Sequence, residues 1–92
     1  MADIDIRHKH ALRPAETRAL AENIAARVNE SFPIDYYWKG ESLHFKRIGV
    51  SGRIDLEESE VRVQVQLGWL LLPMRQRVED QIRGYLSEML DA

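Results

Sequence analysis

His8 and His10 stand two residues apart, and in an extended segment two imidazoles at that spacing leave the backbone on one side, where they can share a metal ion. A metal centre takes at least one more ligand from elsewhere in the chain. His44 is the only other histidine, and the absence of cysteine removes thiolate ligands, disulfides and thiol nucleophiles together. Acidic residues are so frequent that a third ligand can always be nominated, so the pair singles out no metal. It reads more simply as the polar end of a strand approaching a helix. No metal and no other cofactor is expected.

Asp55, Glu57, Glu58 and Glu60 crowd one short stretch. Paired carboxylates do acid–base work when burial or a close like charge raises one pKa, and a solvated turn provides neither. The sequence has no Ser-His-Asp arrangement, glycine-rich phosphate loop or H-E-x-x-H motif. No catalytic residue is expected, and the chain reads as a non-enzyme. Tyr37, Lys39, Lys46, Arg53 and Arg62 fall where one sheet face would gather them, in the manner of a small base-stacking platform. Asp3, Asp5, Asp35 and Asp55 share that face, and the net charge is −2. Binding driven by counterion release needs a positive field, so no nucleic-acid partner is expected.

The elements that would position these residues follow from periodicity. Ninety-two residues suffice for one domain over 1–92. Residues 3–10 alternate, with Ile4 and Ile6 on one face. Pro14 suits the first turn of a helix and Glu16 its positive end. Thr17, Leu20, Ala21, Ile24, Val28 and Phe32 then form an apolar stripe that Pro33 ends. Ile34, Tyr36 and Trp38 share a strand face, as do Leu43 and Phe45, with Gly40-Glu41 as the turn between them. Val50, Ile54 and Leu56 line the next strand, where Gly52 takes an inward position and marks a bulge or a close backbone approach. After a turn at 57–59, Val61, Val63, Val65 and Leu67 alternate cleanly with polar residues. From Pro73 onward, Met74, Val78, Ile82, Tyr85, Leu86 and Met89 make a second amphipathic helix of about 20 residues, and Gly84 lies off its stripe. The order β-α-β-β-β-β-α predicts an α+β fold: an antiparallel sheet of about five strands in the order 1-5-4-3-2, with two helices on one face.

The connection between the last strand and the last helix is unusual, because Trp69, Leu70, Leu71 and Leu72 stand where polar turn residues are the rule. Part of the segment can plug the end of the helix–sheet sandwich. Four large apolar residues exceed what one tight junction buries, so a remainder faces outward as a contact surface. Trp69 and Leu72 are expected to anchor the connection while Leu70 and Leu71 make the contact. A second candidate is an apolar cleft between the last helix and the sheet, lined by Tyr36, Trp38, Phe45 and Tyr85, which would carry a small ligand. Homodimerisation through the same apolar patch is a third reading. No apolar run approaches the roughly 20 residues of a membrane span, and no signal peptide opens the chain, so a cytoplasmic setting is expected.

Asp35-Tyr36-Tyr37-Trp38-Lys39-Gly40, Leu43-His44-Phe45 and Gly49-Val50-Ser51-Gly52-Arg53-Ile54 stand in an order that resembles the middle of the polyhydroxyalkanoic acid system proteins. Val61-Arg62-Val63-Gln64-Val65-Gln66-Leu67-Gly68, the leucines before Pro73, and Tyr85-Leu86 continue the likeness, as does Ile4-Asp5-Ile6-Arg7 ahead of a histidine and a helix. The resemblance covers almost the whole chain. It implies a bacterial, non-enzymatic accessory protein of polyhydroxyalkanoate storage-granule metabolism, contacting the granule surface or a granule protein. It carries over no catalytic residue. The long helical build of phasins, the granule coat proteins, is absent from the pattern.

Overall fold

A computed structural model describes residues 3–31 and 34–90. The elements are β1 (Ile4–Lys9), α1 (Pro14–Ser31), β2 (Asp35–Lys39), β3 (Ser42–Arg47), β4 (Val50–Leu56), β5 (Glu60–Leu67), a 3-10 turn at Leu72–Met74, and α2 (Arg75–Leu90). The strands form one antiparallel sheet in the expected order β1-β5-β4-β3-β2, which keeps the connections uncrossed. Ile4 and Ile6 lie opposite Val65 and Val63, so the first strand lands on the cleanest alternating strand in register with its apolar face.

One face of the sheet supplies Ile4, Ile6, Leu43, Phe45, Ile54, Val61, Val63, Val65 and Leu67 to a single buried cluster. Leu20, Ala21, Ile24 and Ala25 of α1 and Ile82 and Leu86 of α2 close it from the other side. Ala25, which the stripe omitted, is buried with Ala21, and two small residues one turn apart let α1 lie close to the strands. Arg13 N–H donates to Glu16 Oε1 at 3.0 Å, half of a capping box that fixes where α1 starts. The hydroxyl of Thr17, the one buried polar side chain among the described residues, donates to the Pro14 carbonyl at 2.8 Å. At the far end, Ile34 N–H donates to Asn29 Oδ1 at 2.8 Å. Phe32 and Pro33, expected to finish the stripe and the helix, lie outside the described residues.

One alternative is decided and one expectation is corrected. The register runs through Gly52 without a bulge, Phe45 and Val65 lying opposite it on either side. The alternative reading, a close backbone approach, holds: a Cβ on Gly52 would sit 2.5 Å from the Gln64 carbonyl oxygen and 2.6 Å from the Phe45 Cζ. The second helix has 16 residues instead of about 20, because the chain winds through the 3-10 turn before α2 begins at Arg75. Residues 91 and 92, included in the longer expectation, lie outside the described residues.

The two helices are joined by Arg27, which pairs with Glu88 at 3.1 Å and stands over the Tyr85 ring at 5.5 Å. The sheet edge is closed by Asp3, whose carboxylate accepts from Leu67 N–H at 2.7 Å. On the outer face, Arg62 grips Asp5 with two hydrogen bonds of 2.7 and 3.0 Å. Those bonds hold the Asp5 carboxyl below its ordinary pKa, against an opposing effect of desolvation. The stabilisation they give is complete above the unfolded carboxyl value of about 3.9 and drains away as pH falls through the lower folded value. Asp5→Asn should therefore flatten the loss of stability below about pH 4, a small effect typical of exposed pairs and weaker in high salt. Urea midpoints measured between pH 2 and pH 7, at roughly 20 mM and 500 mM salt, check this; a variant that parallels the wild type throughout removes Asp5 as a source of acid lability.

The glycines separate two kinds of constraint. Gly84 → Ala meets nothing within 4 Å, in the interior of an exposed helix face, and should stabilise the protein by roughly 0.5–1 kcal/mol. Gly52 → Ala forces a methyl into Phe45 and the β5 backbone and should cost about 1–3 kcal/mol. Thermal melts should move in opposite directions, and a neutral Gly52 variant would show that the Phe45 ring is free to move away.

Candidate functional site

The connection after β5 is built on contact between two glycines. Gly68 N–H donates to the Gly49 carbonyl at 2.7 Å, and a Cβ on Gly68 would come within 3.3 Å of Gly49 Cα and O. Arg47 and Val50 are paired, so Ile48-Gly49 is a two-residue turn, and Gly49 supplies the positive φ of 89° that it needs. The Gly68 carbonyl then accepts from Leu71 N–H at 2.9 Å and Leu72 N–H at 3.1 Å. Met74 N–H donates to the Leu71 carbonyl at 2.9 Å. The connection satisfies these backbone groups itself, which frees its side chains to serve the core or the surface.

The Gly68–Leu71 bond closes a β-turn with Trp69 and Leu70 at its two central positions. Central turn residues project away from the chain ends that they join. Trp69 is 78% exposed and Leu70 72%, with Leu72 at 42%. Leu71, at the fourth position, re-enters the fold and packs over Gly49 and against the core. The expected division of labour is thus corrected. Neither Trp69 nor Leu72 is a buried anchor, and Leu71 does not project; Trp69 and Leu71 exchange places, because the turn begins at Gly68. Ile48, a central residue of the adjoining turn, is 99% exposed. Direct contact between Gly49 and Gly68 places Ile48 and Trp69 at the same end of the sheet.

Ile48 was missed in the sequence, although an isoleucine directly before the glycine of a two-residue hairpin was the available signal. Together Ile48, Trp69, Leu70 and Leu72 form an apolar knob. Lys46 and Arg47 precede Ile48, and Arg75 and Arg77 follow the 3-10 turn. The opposite end of the sheet carries Glu41, Asp55, Glu57, Glu58 and Glu60.

The cleft residues are only partly brought together. Phe45 and Tyr85 line a cavity of about 70 Å³ with Val78, Ile82 and Leu71, between α2 and the sheet. Tyr36 and Trp38 do not line it, because β2 is the outermost strand on the side away from α2. Trp38 instead packs on α1: its Nε1–H donates to Glu22 Oε1 at 3.0 Å, and the Arg18 guanidinium lies 3.9 Å above its ring. Tyr36 remains exposed at the sheet edge.

The histidines are occupied separately. His10 Nδ1 accepts from Leu12 N–H at 3.0 Å while Nε2 donates to the Glu57 carbonyl at 3.0 Å, which braces the end of β1 against the β4–β5 turn. His8 Nδ1 donates to the Lys9 carbonyl, and His44 stacks on Tyr37 with ring centres 5.3 Å apart. Among the described residues, no three His, Cys, Asp or Glu side chains are grouped so as to hold a metal ion. On the outer sheet face Arg53 pairs with Asp55 at 3.2 Å and donates to Gln64, and Arg62 is held by Asp5. Two cations of the expected stacking platform are thereby tied to acids.

The fold and its surface define a small α+β protein with an apolar end. Residues 4–90 match the family model described as "Putative polyhydroxyalkanoic acid system protein", and the chain belongs to that family. No curated protein and no solved structure matches it. Among the described residues no helix is long and apolar enough to cross a membrane.

The exchange of Trp69 and Leu71 has opposite energetic consequences. Trp69→Ala removes a projecting ring and should change stability by less than about 0.5 kcal/mol. Leu71→Ala enlarges the cavity beneath it and should cost about 1–2 kcal/mol, less than a fully buried leucine. Denaturant midpoints check the pair, and a Trp69 variant that is the less stable of the two would place the indole in the core.

Proposed function

We propose that this protein is a non-enzymatic accessory factor of bacterial polyhydroxyalkanoate metabolism, and that it docks on the polyester granule through the knob of Ile48, Trp69, Leu70 and Leu72. The family supports the setting. The observation that carries the docking mode is three large apolar side chains at the corners of two back-to-back turns, each more than 70% exposed. Solvent exposure of that kind is costly unless a surface covers it. A tryptophan suits an interface between an apolar phase and water, since its ring is apolar and its N–H keeps a polar contact. The cations flanking the knob favour a surface that carries partial or full negative charge, such as ester carbonyls and chain-end carboxylates. Carriage of a small ligand is less favoured, because a cavity of about 70 Å³ is small beside the roughly 300–1,000 Å³ of ordinary ligand pockets.

Purified protein mixed with protein-free polyhydroxyalkanoate particles should co-sediment with them, and Trp fluorescence should shift to the blue. The combined variant Ile48→Ser/Trp69→Ser/Leu70→Ser should keep its melting temperature within a few degrees and lose at least about tenfold in affinity, the equivalent of burying a few tens of Å² of apolar surface. Equal binding by the triple variant sinks the reading. Wild-type binding that requires cell extract replaces the polymer by a granule protein as the partner.

A further inference from the structure

We infer that the open edge of β2 pairs with β2 of a second copy of this chain, in antiparallel register about a two-fold axis at Tyr37. Among the described residues β2 is the last strand of the sheet, paired to β3 on one side and to no strand on the other. Such an edge offers a row of backbone donors and acceptors. Its sequence, Asp35-Tyr36-Tyr37-Trp38-Lys39, is self-complementary when run against itself. Asp35 falls opposite Lys39 of the second copy at both ends, Tyr36 opposite Trp38, and Tyr37 opposite Tyr37. Opposite charges and aromatic pairs are favourable cross-strand neighbours, and a one-residue slip would lose both ion pairs.

The charges are also available. Neither Asp35 nor Lys39 forms an ion pair or side-chain hydrogen bond with any described residue, and both are exposed, as are Tyr36 and Tyr37. The other edge strand contrasts with this. In β1, Asp5 is already gripped by Arg62, and Arg7 lies 3.5 Å from Glu60. A terminal lysine ordinarily protects an edge from indiscriminate pairing. Here an aspartate four residues earlier makes one partner exempt, the chain itself. Pairing continues the sheet to twice its width with both helical layers on the same face, and closes as a dimer. Five paired residues bury less than an average protein interface, so the dimer is weak and concentration-dependent.

Two-fold pairing reverses the strand direction across the axis, so the two knobs point to opposite ends of the dimer. Resting on the docking reading, such a dimer links two polymer surfaces and does not double its hold on one.

Sedimentation equilibrium over a wide range of concentration tests the pairing. Wild-type protein should dimerise reversibly. Asp35→Lys and Lys39→Asp should each weaken dimerisation roughly tenfold or more, since each turns two attractive pairs into repulsive ones. An equimolar mixture of the two variants should form a heterodimer in which every end pair is again opposite in sign, and Asp35→Lys/Lys39→Asp in one chain should restore the homodimer. Circular dichroism should show all of these variants folded. Trp69→Ser/Leu70→Ser should dimerise like wild type. A wild-type protein that stays monomeric at its highest attainable concentration overturns the inference, and so does a dimer that ignores both charge reversals. With polymer particles, wild type should cluster them, whereas Asp35→Lys should bind without clustering. Loss of particle binding by a protein that still dimerises would sink the docking reading alone.

Discussion

The approach of Gly68 to Gly49 governs much of this structure. Two backbones meet there with no side chain on either, at a separation that any Cβ on Gly68 would strain. The contact ends β5 and turns the chain back across the same sheet face. It also sets the phase of the turn that follows, since the Gly68 carbonyl catches Leu71 and Leu72 in succession. From that phase come the inward Leu71, the outward Trp69 and Leu70, and the point at which α2 departs. The core beneath α2 and the knob above it are two outcomes of one backbone contact.

A division of polar and apolar work runs through the rest of the fold. The inner sheet face is almost wholly apolar and meets two helices that are each apolar on one stripe, while the outer face carries charges tied to one another across strands, as Asp5 and Arg62 are, or along one strand, as Arg53 and Asp55 are. Buried polar groups are few and satisfied locally, as Thr17 is by the first turn of its own helix. The polar residues that looked most like chemistry are absorbed by this arrangement. His10 spends both ring nitrogens on backbone groups, and Asp55 accepts from the Ser42 hydroxyl while pairing with Arg53.

The sheet order was legible because alternation located five strands and the short hairpins between β2 and β5 let β1 join β5 antiparallel without a crossed connection. The helical stripes were legible from spacing alone, except that Ala25 was left off the stripe although it is buried beside Ala21. Exchange of Trp69 and Leu71 was not legible. Which of four consecutive apolar residues turns inward depends on which carbonyl captures which N–H, and composition does not encode that phase. Ile48 escaped for a related reason: its significance comes from a turn 20 residues further along that packs against its own. Tyr36 and Trp38 were assigned the correct face but the wrong neighbour. Alternation gives the face of a strand and is silent on which helix lies above it.

β1 finds its partner far along the chain, with Asp5 and Arg62 separated by 57 positions and Asp3 and Leu67 by 64. During synthesis, at about 5–20 residues per second, the first strand to emerge therefore waits roughly 3–11 s before β5 exists. Loops of that length close slowly, so sheet completion belongs to the late part of folding. Ile4 and Ile6 would be a sticky pair over that interval, but Asp3, Asp5 and Arg7 alternate with them along the strand. Charges so placed discourage association with the wrong edge. Asp5 thus guards the nascent strand until Arg62 arrives, and the same carboxylate then fastens it in place.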